Sequence, residues 1–275
     1  MKGIKRNVAW RILDAKYFGV PQQRRRLYLL AGGKDFSPEN VLFESTSALK
    51  IEYPSSPLSF VKDGHKFEIF REYTDCLYSA YGTKWNGNAA AYNGSLYVVC
   101  DERIRCLSPL ECERLMGLPD NYTDLPGAKH TNRYQAIGNS WAVPVVRWIG
   151  SRLQNYENLP KIRTTQQYEN HSSAFEGNIN TSPQPENCVF SDMASIVSAD
   201  APEELYISPT GCHGIVRRKN ERNLRINLRL EEVLLKISSK WSVDDIERRS
   251  RVQKRGRLSS AVEFNQQMTF EEFKH

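Results

Sequence analysis

Apolar and polar positions divide the chain into a patterned first half, a polar middle and a shorter patterned stretch near the end. From Asn7 to Ala31 the runs are short and rich in strand formers. Gly19-Val20-Pro21 reads as a turn and Arg26-Leu27-Tyr28-Leu29-Leu30-Ala31 as a buried strand that Gly32-Gly33 ends. Lys34 to Arg103 mixes aromatics with Ser/Pro turns and a Gly/Asn-rich segment from Tyr81 to Asn88, ahead of the strand Ser95-Leu96-Tyr97-Val98-Val99. That stretch predicts a small, irregular, mostly β insert.

At Ser108 the helix signals coincide: Ser108 as N-cap, Pro109 at the first helical position, Glu111 closing a capping box, Leu107 able to staple onto Cys112, and Gly117 as the stop. A second helix is expected to start near Ser140, with Val143, Val146, Ile149 and Leu153 as its inward face. From about Gln154 to Pro202 the sequence is dominated by Asn, Gln, Ser, Thr and Glu, and reads as a linker because it has few apolar side chains to offset the entropy of ordering. Beyond it, Ser208-Pro209 can cap one helix, and Leu228, Leu230, Val233, Leu234 and Ile237 give another an apolar face; Arg248 to Arg257 forms a basic tail.

Composition narrows the function classes. The 275 residues are 40% hydrophobic, enough for a real core of one or two domains. No apolar run approaches the roughly 20 residues that cross a bilayer, and the start leads into mixed sequence, not a signal-peptide core. Six cysteines without a Cys-x-x-Cys pair or a Cys/His cluster point to reduced thiols in a cytoplasm, with no disulfide framework and no metal. The net charge is +6, with Lys and Arg gathered at the amino-terminal end and beyond Arg217, which suits a polyanion such as nucleic acid.

Three segments carry candidate chemistry. In Phe18-Gly19-Val20-Pro21-Gln22-Gln23-Arg24-Arg25-Arg26 strand alternation places Gln22, Arg24 and Arg26 on one face and turns Leu27 and Leu29 to the other, towards a core. Two guanidiniums beside an amide make a donor-rich surface for phosphates or a base carbonyl. Arg105 to Asp120 contains the capped helix. Gly138-Asn139-Ser140, followed by Ala142-Val143-Pro144-Val145-Val146, reads as a helix amino terminus whose free amides could meet a polar ligand.

In this order the three segments resemble the eighth, ninth and tenth motifs of the DNA cytosine-5 methyltransferases, over about Trp10 to Leu153. The resemblance implies an α/β fold: a partial Rossmann-like methyltransferase domain with a small, mostly β target recognition insert and a partly disordered basic C-terminal extension. Its divisions would be 1–33 (eighth motif), 34–104 (target recognition), 105–153 (ninth and tenth motifs), 154–201 (linker) and 202–275 (small helical element and basic tail). By the same resemblance Arg26 lies against an extruded target cytosine, Arg24 and Gln22 organise the active site, Asn139 and Ser140 flank S-adenosyl-L-methionine, and Lys84, Trp85, Asn86 and Asn88 are groove contacts to duplex DNA.

The family's Phe-x-Gly-x-Gly loop, Pro-Cys nucleophile and Glu-Asn-Val acid are missing. No cysteine here follows a proline, and in the nearest look-alike of the acid motif, Glu186-Asn187, Cys188 intervenes before Val189. Part of a cytosine-5 methyltransferase is therefore implied, inactive alone, in a bacterial or phage-infected cell: either the small subunit of a split enzyme, completed by a larger polypeptide carrying those motifs, or one piece of an enzyme divided by an intron, a frameshift or a truncated reading frame. The alternatives are a non-catalytic DNA-binding remnant of such an enzyme and, last, a basic RNA-binding protein, for which no aromatic stacking motif is present.

Overall fold

The computed structural model describes residues 6–45, 51–79, 92–167, 172–175 and 177–249. Strands β1 (Asn7–Asp14) and β2 (Arg25–Gly32) form an antiparallel hairpin of their own, in the register Trp10 to Leu29 and Ile12 to Leu27. Helix α1 (Pro38–Leu42) follows. Strands β3 (Ser59–Lys62), β4 (His65–Ile69), β5 (Tyr97–Cys100) and β6 (Arg103–Cys106) make a four-stranded antiparallel meander. Its first turn, Asp63-Gly64, has both φ values positive (51° and 81°), the geometry whose twist matches that of the paired strands.

Helices α2 (Pro109–Met116), α3 (His130–Asn139) and α4 (Val143–Gln154) come next, then a small hairpin of β7 (Thr164–Gln167) and β8 (Ser172–Phe175). Helices α5 (Met193–Ile196), α6 (Pro209–Glu221), α7 (Leu228–Ser238) and α8 (Val243–Arg249) complete the described residues. The fold thus mixes α and β, and every sheet among the described residues is antiparallel. None of the described helices is long and apolar enough to cross a membrane.

Alternation along the meander divides its side chains between two cores. Phe67, Ile69, Val98 and Cys100 pack with Cys112, Leu115 and Met116 of α2, Tyr134 and Ile137 of α3 and Met193 and Ile196 of α5. Tyr97, Val99 and Ile104 face the other way, onto Cys212, Ile215 and Val216 of α6 and Leu230, Val233, Leu234 and Ile237 of α7. The result is a sheet with helices on both faces. A third core joins the inner face of the hairpin (Ala9, Leu13) to α1 and to Ala142, Val145 and Ile149 at α4.

Several elements follow the sequence reading closely. Ser108 Oγ accepts from Glu111 N at 3.2 Å while Ser108 N donates to Glu111 Oε2 at 2.6 Å, and Gly117 caps α2 with φ 71°. Ser208 caps α6 through Gly211 N, and α7 buries four of its five expected apolar positions; Leu228, in the first turn, is exposed.

Others are corrected. Leu27 and Leu29 face solvent, because Tyr28 and Leu30 on the opposite side already meet α1 and α4. Helix α4 buries Val145 and Ile149; of the other expected members Val143 and Val146 are half-buried and Leu153 is exposed, because the stripe that packs on the hairpin and α1 runs through Ala142, Val145 and Ile149. Helix α1 lies within 34–104 yet belongs to the hairpin's core, so the meander begins only at Ser59.

The segment from 177 to 199 is not a free linker. Asp14 N donates to Pro183 O (3.1 Å), Val189 N to Tyr17 O (3.0 Å) and Gly19 N to Val189 O (2.8 Å), while Met193, Ile196 and Val197 are buried. Backbone pairing and one apolar turn order a polar strand that composition alone leaves loose. Residues 250–275, with most of the basic tail, lie outside the described residues.

Candidate functional site

The turn between β1 and β2 meets three other elements at one point. Pro21 O accepts from Thr74 N (2.9 Å) and Thr74 O from Gln23 N (2.8 Å), laying the turn parallel to the segment Thr74 to Ser79. The C-terminal ends of α2 and α3 close the other sides, through Leu115, Met116 and Gly138.

Gln22, Arg24 and Arg26 all reach Cys76 or Leu77. Gln22, fully buried, accepts from Leu77 N (3.1 Å) and donates to Leu115 O (2.8 Å) and Met116 Sδ (3.2 Å). Arg24, also buried, donates to Leu77 O (2.9 Å), Gly138 O (3.1 Å), Ser140 O (2.7 Å) and Cys76 Sγ (3.1 Å). Arg26 is exposed; it donates to Cys76 Sγ (2.9 Å) and Arg25 O (2.9 Å). The first two side chains thereby tie the turn to α2 and α3, while Arg26 leaves much of its guanidinium to solvent.

Burial governs the electrostatics. Desolvation lowers the Arg24 pKa; Cys76 opposes that shift and the like charge of Arg26 adds to it. Desolvation also raises Asp14, whose carboxylate accepts from Arg24 N (3.0 Å) and Lys16 N (3.5 Å), and raises Tyr28 against the pull of Arg24 and Arg26.

Asn139 and Ser140 are brought to this site in an unexpected setting. Gly138 and Asn139 form the last turn of α3, a helix absent from the sequence reading, and Ser140 is its C-cap, with Oγ donating to Ile137 O (2.8 Å). The stretch is thus a carbonyl end and not a helix amino terminus. Arg24 takes the carbonyls of Gly138 and Ser140, and Asn139 is exposed. Gly138 is required by close approach: a Cβ there would lie 2.4 Å from Ser79 N and from Tyr78 C.

Lys84, Trp85, Asn86 and Asn88 fall outside the described residues; the segment holding them follows Ser79 in the chain and returns at Tyr92, in the second core. His65, Cys100 and Asp101 are a ligand-type cluster within 4.8 Å at one end of the meander, where His65 Nδ1 and Asp101 Oδ2 already share a 2.6 Å hydrogen bond. Cys112, buried in the first core, has a thiol pKa pushed well up by desolvation, as suits a packing residue and not a nucleophile.

Sequence reasoning missed the buried cations. Arg105 is fully buried and bidentate to Glu111 (2.8 and 2.7 Å), with a third donation to Ser198 O (2.6 Å). Arg11 joins Glu44 (3.2 Å), Leu42 O (2.6 Å), Ser182 O (2.9 Å) and Gln184 O (2.5 Å). The alternation of β1 puts Arg11 on the same side as Ala9 and Leu13, the one signal that could have placed it inside.

The model of the C-5 cytosine-specific DNA methylases matches residues 2–96 and 58–155, which together span more than half of the chain. The protein belongs to that family. Among its relatives, a phage P1 protein named DNA N-6-adenine-methyltransferase is 27% identical over 55% of this chain and 36% of its own length. The type II methyltransferase M.Sau3AI of Staphylococcus aureus is 31% identical over 36% of this chain and 24% of its own. M.HhaI of Haemophilus parahaemolyticus is 24% identical over 52% of each. The chain thus matches between a quarter and about half the length of these relatives.

Proposed function

We propose that this chain is the target-recognising part of a DNA cytosine-5 methyltransferase, completed by a larger polypeptide that carries the Pro-Cys nucleophile, the Glu-Asn-Val acid and the Phe-x-Gly-x-Gly loop. The observation that carries the reading is the convergence of Gln22, Arg24 and Arg26 on Cys76 and Leu77, where the eighth, ninth and tenth motif segments meet. Two of the three arms are spent on holding the junction, and Arg26 is left to meet a base. An extruded cytosine needs its polar edge paired, and an arginine fork suits its carbonyl. The segment from Tyr81 to Asn88 follows this junction in the chain, which supports its reading as the groove-contacting loop, with Lys84, Trp85, Asn86 and Asn88 as the contacts.

S-adenosyl-L-methionine is the proposed methyl donor, supplying the transferred group when bound. Ser140 is engaged through both its hydroxyl and its carbonyl, so Asn139 and Ser140 do not make a donor set for it by themselves. The donor is therefore assigned to the completing polypeptide, with Asn139 at the rim, and no step through it is derived from this chain. A partial Rossmann-like domain describes the hairpin with α1 and α4, whose parallel strands the same polypeptide would add. Six free cysteines support a cytoplasmic setting in a bacterial or phage-infected cell.

Each polypeptide and their mixture, incubated with duplex DNA and tritiated S-adenosylmethionine, test the proposal. Incorporation by the mixture alone is expected; robust incorporation by this chain alone overturns the need for a partner. Bisulfite sequencing of the product identifies the site and separates methylcytosine from the adenine product that the phage relative's name specifies.

A further inference from the structure

The sequence spacing shows no Cys/His cluster, but the meander assembles one. Phe67 lies opposite Cys100 in the β4–β5 ladder, so His65, two residues earlier on the same face, reaches the end of the sheet where Asp101 begins the β5–β6 turn. One donor atom from each of His65, Cys100 and Asp101 lies within 4.8 Å of the other two. Cys100 is buried in the first core, while the side chains of His65 and Asp101 are about half exposed.

The turn aims a carboxylate into this cluster. Asp101 and Glu102 have φ values of 45° and 63°, the geometry of a two-residue turn that favours Asn-Gly. Asp101 Oδ1 accepts from Lys66 N (2.9 Å), which directs Oδ2 to His65 Nδ1 (2.6 Å). An asparagine would suit that backbone at least as well and accept the same amide, so the negative charge serves the Oδ2 side of the group and not the turn. Cys100 also has an outer partner. Burial and the charge of Asp101 raise its thiol pKa, while Arg105 and a hydrogen bond from Tyr206 favour the thiolate.

A thiolate, an imidazole and a carboxylate form a borderline donor set, which suits Zn²⁺ better than the oxygen-preferring Mg²⁺ or Ca²⁺. Around a tetrahedral Zn²⁺ such donors stand about 3.3–3.7 Å apart, so His65 and Asp101 must part by about 1 Å, a small rotation for two half-exposed side chains. We infer that His65, Cys100 and Asp101 form a zinc site, with water as the fourth ligand, that clips the β5–β6 turn to the start of β4. On binding, the thiol proton passes to solvent and the sulfur lone pair goes to the metal. The inference does not depend on the reading under Proposed function. The chain that holds Tyr81 to Asn88 connects the opposite ends of β4 and β5, so the ion braces the meander from the end far from the proposed groove contacts.

The test strips the full chain with a chelator under reducing conditions and titrates it with Co²⁺, then Zn²⁺. Binding of a single Co²⁺ per chain is expected, with a sulfur-to-cobalt charge-transfer band in the near ultraviolet and the strong visible bands of a tetrahedral site, all abolished by an equivalent of Zn²⁺. Zn²⁺ at about 100 times its Kd should raise the Tm by roughly 5–10 °C. Cys100→Ser should remove the charge-transfer band, and His65→Ala and Asp101→Asn should each weaken binding by at least about tenfold. Asp101→Asn retains the acceptor for Lys66 N, so its loss of binding is read on a folded chain. Cys188→Ser and His213→Ala should leave the spectrum unchanged. Affinity equal in Asp101→Asn, His65→Ala and the unaltered chain, or a charge-transfer band that survives Cys100→Ser, marks an adventitious ion and overturns the site. Absence of Co²⁺ and Zn²⁺ binding also overturns it, and leaves His65 and Asp101 as an ordinary surface hydrogen bond.

Discussion

Arg24 and Arg26 are two residues apart on one strand face, and the structure gives them opposite duties. Replacing Arg24 by Met keeps most of the stem's volume but removes the guanidinium from the carbonyls of Leu77, Gly138 and Ser140, leaving Leu77 O to the Cys76 thiol at 3.3 Å. A buried acceptor that loses its charged donor costs about 1–3 kcal/mol, so the three together, one of them keeping a thiol and one only partly buried, put the loss at about 3–5 kcal/mol. That is a large fraction of the roughly 5–15 kcal/mol that stabilises a domain. In urea, with a slope of about 2–3 kcal/mol/M, the midpoint should fall by about 1–2 M. Arg24→Lys should recover part of the loss, since an ammonium reaches one or two of the carbonyls but cannot fork across the junction. Arg26→Met removes only a bond to a thiol and one to a neighbouring carbonyl, both at the surface, and should move the midpoint by less than about 0.3 M. In the reconstituted enzyme the order reverses in meaning: Arg26→Ala should lower turnover far more than DNA affinity. Equal midpoint shifts for the two Met variants would refute the division of labour, as would equal losses of turnover and affinity for Arg26→Ala.

Three further outcomes are expected. Glu111→Gln leaves the fully buried Arg105 uncompensated and should cost about 3–5 kcal/mol in urea unfolding, whereas Arg105→Met with Glu111→Leu, which removes both charges, should cost less than the single change. Gly138→Ala drives a Cβ into the backbone of Tyr78 and Ser79 and should lower the Tm by roughly 5–10 °C, while Gly150→Ala on α4, where a Cβ meets nothing, should leave it unchanged or raise it. Burial raises the Cys212 thiol from an ordinary 9.0 to about 12, so its contribution to stability is fully present below pH 9 and is lost as pH rises towards 12; Cys212→Ala should flatten that alkaline limb in pH-dependent melts.

What the sequence determined by itself is what short-range rules govern. The capping box at Ser108, the left-handed Gly117, the cap at Ser208 and the apolar face of α7 each depend on side chains three or four residues apart, and each is where the pattern puts it. The order of the three motif segments likewise sufficed to place the chain in its family. Alternation gave the pairing of faces in the hairpin but not which face is inside, because period two is symmetric and only α1 and α4 break the symmetry. Tertiary structure alone decided that Gly138 and Asn139 end a helix instead of starting one, that Arg24 bridges carbonyls on two separate elements, and that the polar run from 177 to 199 is tied to the hairpin. The last two depend on partners more than 50 residues away, and local composition holds no information about a carbonyl that distant chain will present.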